Sequence, residues 1–176
     1  CQRPSQVIYD RADSCFSKTA LKEYDWNEIF KDCGWIHVSG VTPAISQNTA
    51  DCVLYALKEA RQRKIIVSLD LNFRKKLWQY GKNAPEVMSE LSKYADVLIA
   101  NEEDVQNCLG IHLENCRTVQ ESYKRLCEKV MEKYPECRYV AVTLRQSISA
   151  DKNEWTAVLH GKNGFYQTAK YSIENI

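Results

Sequence analysis

Short apolar runs rich in β-branched residues alternate with amphipathic stretches along this chain, and that alternation constrains its fold more than any other feature. Trp35-Ile36-His37-Val38, Ile65 to Leu69, Asp96 to Ala100 and Tyr139 to Leu144 read as strands. Between the first two, Ala50, Val53, Leu54, Leu57 and Ala60 keep helical spacing from about Ser46 to Lys64. Further helices are expected over 84–94, from Asn101 to a stop at Gly110, and over 118–134. Asp25 followed by Glu28 marks another helix start, and Val7-Ile8-Tyr9 a short opening strand. Trp155 to His160 and Phe165 to Tyr171 flank Gly161-Lys162-Asn163-Gly164, which predicts a C-terminal β-hairpin. Strand-helix-strand at this spacing implies right-handed crossovers and a parallel sheet with helices on both faces. Residues 1–176 are expected to form a single α/β domain.

Composition narrows the partners. The 24 basic and 23 acidic residues nearly cancel, whereas nucleic acid or an anionic membrane favours a strongly basic surface. No apolar run approaches the ~18 residues of a membrane span, and the N-terminus shows no apolar signal region. The eight cysteines form neither a C-x-x-C pair nor a zinc-spaced cluster, and several sit at apolar helical positions, so a reducing cytoplasm is expected. Neither G-x-G-x-x-G nor G-x-x-x-x-G-K-[ST] occurs, which excludes the dinucleotide fingerprint and the Walker phosphate loop from this stretch of chain.

In open α/β sheets ligands bind beyond the carboxyl ends of the strands. The residues expected there are Ser39, Gly40 and Thr42, then Asp70, Asn72 and Arg74, then Asn101 and Asp104, then Thr143 and Arg145. In an extended segment, residues two apart share a face, so Asp70, Asn72 and Arg74 can point at one ligand, with Arg74 offering a planar fork for carboxylate or phosphate. The competing reading is a turn closed by an Asp70 ion pair to Arg74 or Lys75. Asn101 and Asp104, three apart at a helix start, can hold the water shell of a magnesium ion or serve only as partners of the helix dipole. Tyr9 and Arg11 lie on one side of their strand, which suits either a ligand contact or an exposed edge. His37, inside a strand expected to be buried, reads as a core imidazole.

The stretches Arg3-Pro4-Ser5-Gln6-Val7-Ile8-Tyr9-Asp10-Arg11, Asp70-Leu71-Asn72-Phe73-Arg74-Lys75-Lys76-Leu77-Trp78, Ile99-Ala100-Asn101-Glu102-Glu103-Asp104 and Val142-Thr143-Leu144-Arg145 resemble, in order and spacing, the ribokinase-like (PfkB) carbohydrate kinases. The likeness is to their 2-keto-3-deoxygluconate kinase branch. It implies a cytoplasmic enzyme that phosphorylates the terminal hydroxyl of a sugar acid with magnesium (Mg2+) and ATP. It assigns Tyr9, Arg11 and Arg74 to the substrate, with Arg74 also catalytic. Asn72, Thr143 and Arg145 fall to the nucleotide, and Asn101 and Asp104 to the metal's hydration shell, with Asp104 where Glu is usual. The chain ends at Ile176, where such kinases would continue into a G-x-G-D loop carrying the catalytic base, and it starts after their lid. The expectation is therefore a central portion, truncated at both ends and incomplete by itself. Lid-mediated pairing in such kinases makes a homo-oligomer a candidate assembly. A fructokinase-type sugar kinase and a non-catalytic sugar-acid or nucleotide-binding module are the alternatives.

Overall fold

A computed structural model describes residues 8, 10–11, 13–149 and 151–174. Val7 and Tyr9, expected in an opening strand, lie outside them. In chain order come α1 (Cys15–Lys18), a 3-10 turn (Leu21–Glu23), α2 (Trp26–Phe30), β1 (Trp35–Ser39), α3 (Gln47–Gln62) and β2 (Ile66–Asp70). There follow a second 3-10 turn (Lys75–Leu77), α4 (Ala84–Ser92), β3 (Val97–Ala100), α5 (Glu102–Leu109) and α6 (Val119–Lys133). The chain closes with β4 (Tyr139–Ser147), β5 (Lys152–Gly161), β6 (Gly164–Gln167) and β7 (Tyr171–Glu174).

The helices start where side chains can replace the missing backbone acceptors. Asp25 accepts from the N–H groups of Asn27 and Glu28, Ser46 from Thr49, and Thr118 from Glu121. At the end of α5, Gly110 takes the left-handed conformation (φ 68°) and returns its N–H to Gln106, as its position past the last apolar residue predicts.

The strands form one sheet in the order β1-β2-β3-β4-β5-β6, with β7 on β5. The first four run parallel and the remainder antiparallel. Register aligns Val38 with Leu69, Leu69 with Leu98, and Leu98 with Val140, so one row of apolar side chains crosses four strands. A second row joins Ala100, Val142 and Val158. Leu57, Met88, Leu91, Val105, Leu126 and Val130 of α3 to α6 complete this core. Each large side chain so buried contributes about 1.5–3 kcal/mol.

The amino ends of the strands are tied together by Asp96, 3% exposed, just before β3. Its carboxylate accepts from Val67 N–H at 3.0 Å and lies 3.4 Å from Arg61 Nη1 and 3.2 Å from Arg138 Nε. Its carbonyl accepts from the N–H groups of Arg138 and Tyr139. One residue thus links β2, β3, β4 and the end of α3.

Three expectations need correction. In the strand at 35–38 only Val38 is buried. Trp35 is 54% exposed and His37 is also exposed, because β1 is an edge strand among the described residues and alternate residues point to opposite faces of the sheet. His37 is therefore no core imidazole; its Nδ1 lies 2.8 Å from Ser68 Oγ. The fourth strand continues to Ser147 and pairs with β5 along nine positions, Tyr139 with Gly161 to Ser147 with Asn153. Finally, the strand expected over 165–171 is interrupted. Thr168 Oγ1 accepts from Ala157 N–H and donates to Ala169 O, which separates β6 from β7. Among the described residues, all seven cysteines are free thiols, and no helix is long and apolar enough to cross a membrane.

Candidate active site

Beyond the carboxyl ends of β1 to β3 the chain builds a hydrogen-bonded cluster around residues 70–74. Gly40 enters it by donating its N–H to Asp70 O at 2.7 Å. A Cβ on Gly40 would stand 2.0 Å from Leu71 O and 2.9 Å from Met88 Cε, so only glycine permits this approach of backbone to backbone. Leu71 N–H in turn donates to Ile99 O at 2.9 Å, carrying the segment across to β3.

Asn72 then turns the chain through the left-handed region (φ 36°), a conformation that a non-glycine residue keeps only when its surroundings hold it there. Its side chain donates to Ser39 Oγ at 3.0 Å. The next amide, of Phe73, donates to Asp104 Oδ1 at 3.0 Å. Residues 72 and 73 are thereby fixed from opposite sides, by the end of β1 and by the start of α5. Arg74 follows, exposed, with Nη1 donating to Phe73 O at 3.2 Å. Neither Asp70 nor any other described acid forms an ion pair with it at 4.0 Å or less. The ion-paired turn that the sequence left open is not formed.

Asn101 and Asp104 serve each other as a capping box at the start of α5. Asp104 N–H donates to Asn101 Oδ1 at 2.7 Å, and Asn101 N–H to Asp104 Oδ2 at 3.4 Å. Asp104 is only 6% exposed. Burial raises its pKa, opposed by the N–H groups of Phe73 and Asn101 and by the charge of Arg74. Burial likewise raises Asp70, against the Asn72 N–H, His37 and Arg74. Arg74 is thus the positive charge that offsets the two carboxylates at these strand ends.

The structure brings Asp70, Asn72, Asn101 and Asp104 together with Arg74 beyond the strand ends. Thr143 lies inside β4, within the strand expected over 139–144, with Oγ1 3.5 Å from Ala100 O. Arg145 leans toward the hairpin. Its Nε donates to Asn153 Oδ1 at 3.0 Å, its guanidinium lies 5.6 Å from the Trp155 ring centroid, and it borders a cavity of about 340 Å³ that Tyr123 and Trp155 also line. Asn153, 2% exposed, also accepts from Ser147 Oγ; a lone Asn among charged residues gave no signal of that role. Arg11 is exposed, and Tyr9 lies outside the described residues.

Magnesium fits these donors poorly as a direct ligand. Both oxygens of Asp104 and the Asn101 oxygen already accept backbone N–H groups, and the described residues hold no cluster of three or more His, Cys, Asp or Glu able to bind a metal.

No protein-family model matches the chain. A solved 2-dehydro-3-deoxygluconokinase from Thermotoga maritima is 39% identical and superposes with a TM-score of 0.88 over 98% of this chain and 52% of its own. A solved PfkB family carbohydrate kinase from Listeria grayi is 26% identical with a TM-score of 0.79, over 97% and 51%. A 2-dehydro-3-deoxygalactonokinase from Haloferax volcanii is 35% identical over 109 residues, 62% of this chain and 34% of that protein. The chain thus spans about half the length of these solved structures and about a third of the Haloferax relative.

Proposed function

We propose that the chain belongs with the PfkB-family carbohydrate kinases and forms the phosphoryl-transfer site of an ATP-dependent 2-keto-3-deoxy sugar-acid kinase. The preferred substrate is 2-keto-3-deoxygluconate, and the product its 6-phosphate. The observation that carries this reading is Arg74, an exposed guanidinium that forms no ion pair with a described acid, on a segment held at the two residues before it. A sugar acid brings a carboxylate and the nucleotide brings phosphates, and a planar guanidinium suits both.

Phosphoryl transfer asks a protein chiefly for positioning and charge neutralisation. Arg74 supplies the cation near the reacting groups, with Arg11 and Tyr9 on the sugar acid. Asn72, Thr143 and Arg145 contact the nucleotide. ATP arrives as its magnesium complex, a substrate rather than a resident metal. The group that removes the hydroxyl proton is not assigned to any residue of this chain.

The test is ADP release by the complete gene product, with magnesium-ATP and 2-keto-3-deoxygluconate, 2-keto-3-deoxygalactonate, fructose or ribose. Stimulation by either keto acid and not by fructose or ribose is expected, with the gluconate favoured. Stimulation only by a neutral sugar would keep a sugar kinase and refute the sugar-acid assignment, and no release with any of them would refute catalysis.

A further inference from the structure

We propose that Asp104 is a positioning residue, a clamp that sets the Arg74 segment by holding the Phe73 amide, rather than an organiser of the metal's hydration shell. This rests on the kinase reading above. Four contacts carry it. Asp104 Oδ1 accepts from Phe73 N–H at 3.0 Å, thirty-one positions away in sequence. Its Oδ2 accepts from Asn101 N–H, and its own N–H is taken by Asn101 Oδ1. Immediately before the clamped amide, Asn72 sits in the left-handed region at φ 36°, anchored on its other side to Ser39. Immediately after it, Arg74 is exposed and returns only to the Phe73 carbonyl among the hydrogen bonds of the described residues.

The direction of the Arg74 side chain depends on the two residues before it, and each is held by one side-chain hydrogen bond. Releasing Phe73 frees Asn72 to leave a conformation it does not favour, and Arg74 turns with it. Magnesium, in contrast, gives up its waters reluctantly and binds through carboxylates that leave those waters room. A carboxylate 6% exposed, with each oxygen turned to a backbone N–H, leaves little.

Asp104→Asn and Asp104→Ala in the complete gene product separate the two roles. The amide oxygen of Asn can still accept from Phe73 but carries no charge, and Ala removes the acceptor. With Asp104→Ala, amide exchange at Phe73 is expected to accelerate tenfold or more. KM for the sugar acid rises at least tenfold, and half-saturating magnesium changes less than twofold. Asp104→Asn is expected to raise KM about threefold, with half-saturating magnesium again steady. A tenfold rise in half-saturating magnesium for Asp104→Asn, or unchanged Phe73 exchange in Asp104→Ala, overturns the proposal. If Asp104→Ala does not fold, the magnesium titration of Asp104→Asn decides. If no sugar acid is turned over, the kinase reading has failed, and Phe73 exchange still tests the clamp.

Discussion

Replacing Gly40 by alanine should damage both stability and turnover, and by an amount the geometry sets. The added Cβ would lie 2.0 Å from Leu71 O, 2.8 Å from Leu71 C and 2.9 Å from Met88 Cε. The methionine tip can move, but the carbonyl cannot, since Leu71 N–H is bonded to Ile99 O and Gly40 N–H to Asp70 O. A carbon needs ~3.3 Å from a carbonyl oxygen even in close Cα–H···O contact, so the two segments must part by about an ångström. Overpacking of this kind costs about 1–3 kcal/mol, and weakening the Gly40 hydrogen bond adds about 1 kcal/mol. At about 2–4 °C per kcal/mol for a protein of this size, a loss near 3 kcal/mol lowers Tm by roughly 6–12 °C. Because the displaced backbone leads to Arg74, kcat/KM should fall up to about a hundredfold. Gly34→Ala is the matched control, since a Cβ there meets nothing within 4 Å, and it should change stability by less than about 0.5 kcal/mol. Thermal melts of the two variants side by side test the reasoning. Equal midpoints would show that the close approach at Gly40 constrains nothing.

Arg74→Ala should lower kcat/KM for the sugar acid at least about tenfold, ~1.4 kcal/mol, with Tm nearly unchanged because the side chain is exposed; turnover near wild type would remove Arg74 from the site. Asp96→Ala leaves Val67 N–H without its acceptor and should cost about 2–3 kcal/mol, while Asp96→Asn keeps an acceptor and should cost about half as much; denaturant midpoints compare them. The Arg138 side chain is 62% exposed, so its ion pair adds little to either figure. Burial pushes the thiols of Cys108 and Cys127 up to about 12 and Cys137 to about 11. The unfolded chain releases these protons near the ordinary thiol value of 9.0 while the folded chain keeps them, so their contribution is full below pH 9 and is lost as pH rises toward 12. Chemical denaturation across that window should show stability falling, and a flat profile would refute it. In the native protein a thiol reagent should label exposed Cys15 well before these three.

The parallel half of the fold was legible because its apolar rows are strong and its punctuation is chemical. Asp25, Ser46, Asn101 and Thr118 all cap helices, and Gly110 ends one. The hairpin half was harder. From Arg145 to Glu154 the sequence is almost wholly polar, and the β4–β5 ladder there is held by backbone pairing and by buried Asn153, neither of which leaves a periodic signal. The break at Thr168 depends on a hydroxyl replacing one ladder bond. At the site, the residue types at the strand ends could be read directly, but the use made of Asp104 could not. Its partner is a backbone N–H thirty-one residues away, and every residue but proline has one. His37 was misread for a related reason, because only sheet order reveals an edge strand.

Asp96 gives this architecture a foundation at the pole away from the candidate site. Ties to β2, β4 and the end of α3 converge there, and none of them involves a residue that would meet a ligand. This part of the fold's stability is thus written apart from the residues of the candidate site. Exposed side chains at the opposite pole, such as Arg74, can drift over evolutionary time with little effect on folding, while Gly40 stays bound to both demands and the base continues to dictate where the strands begin.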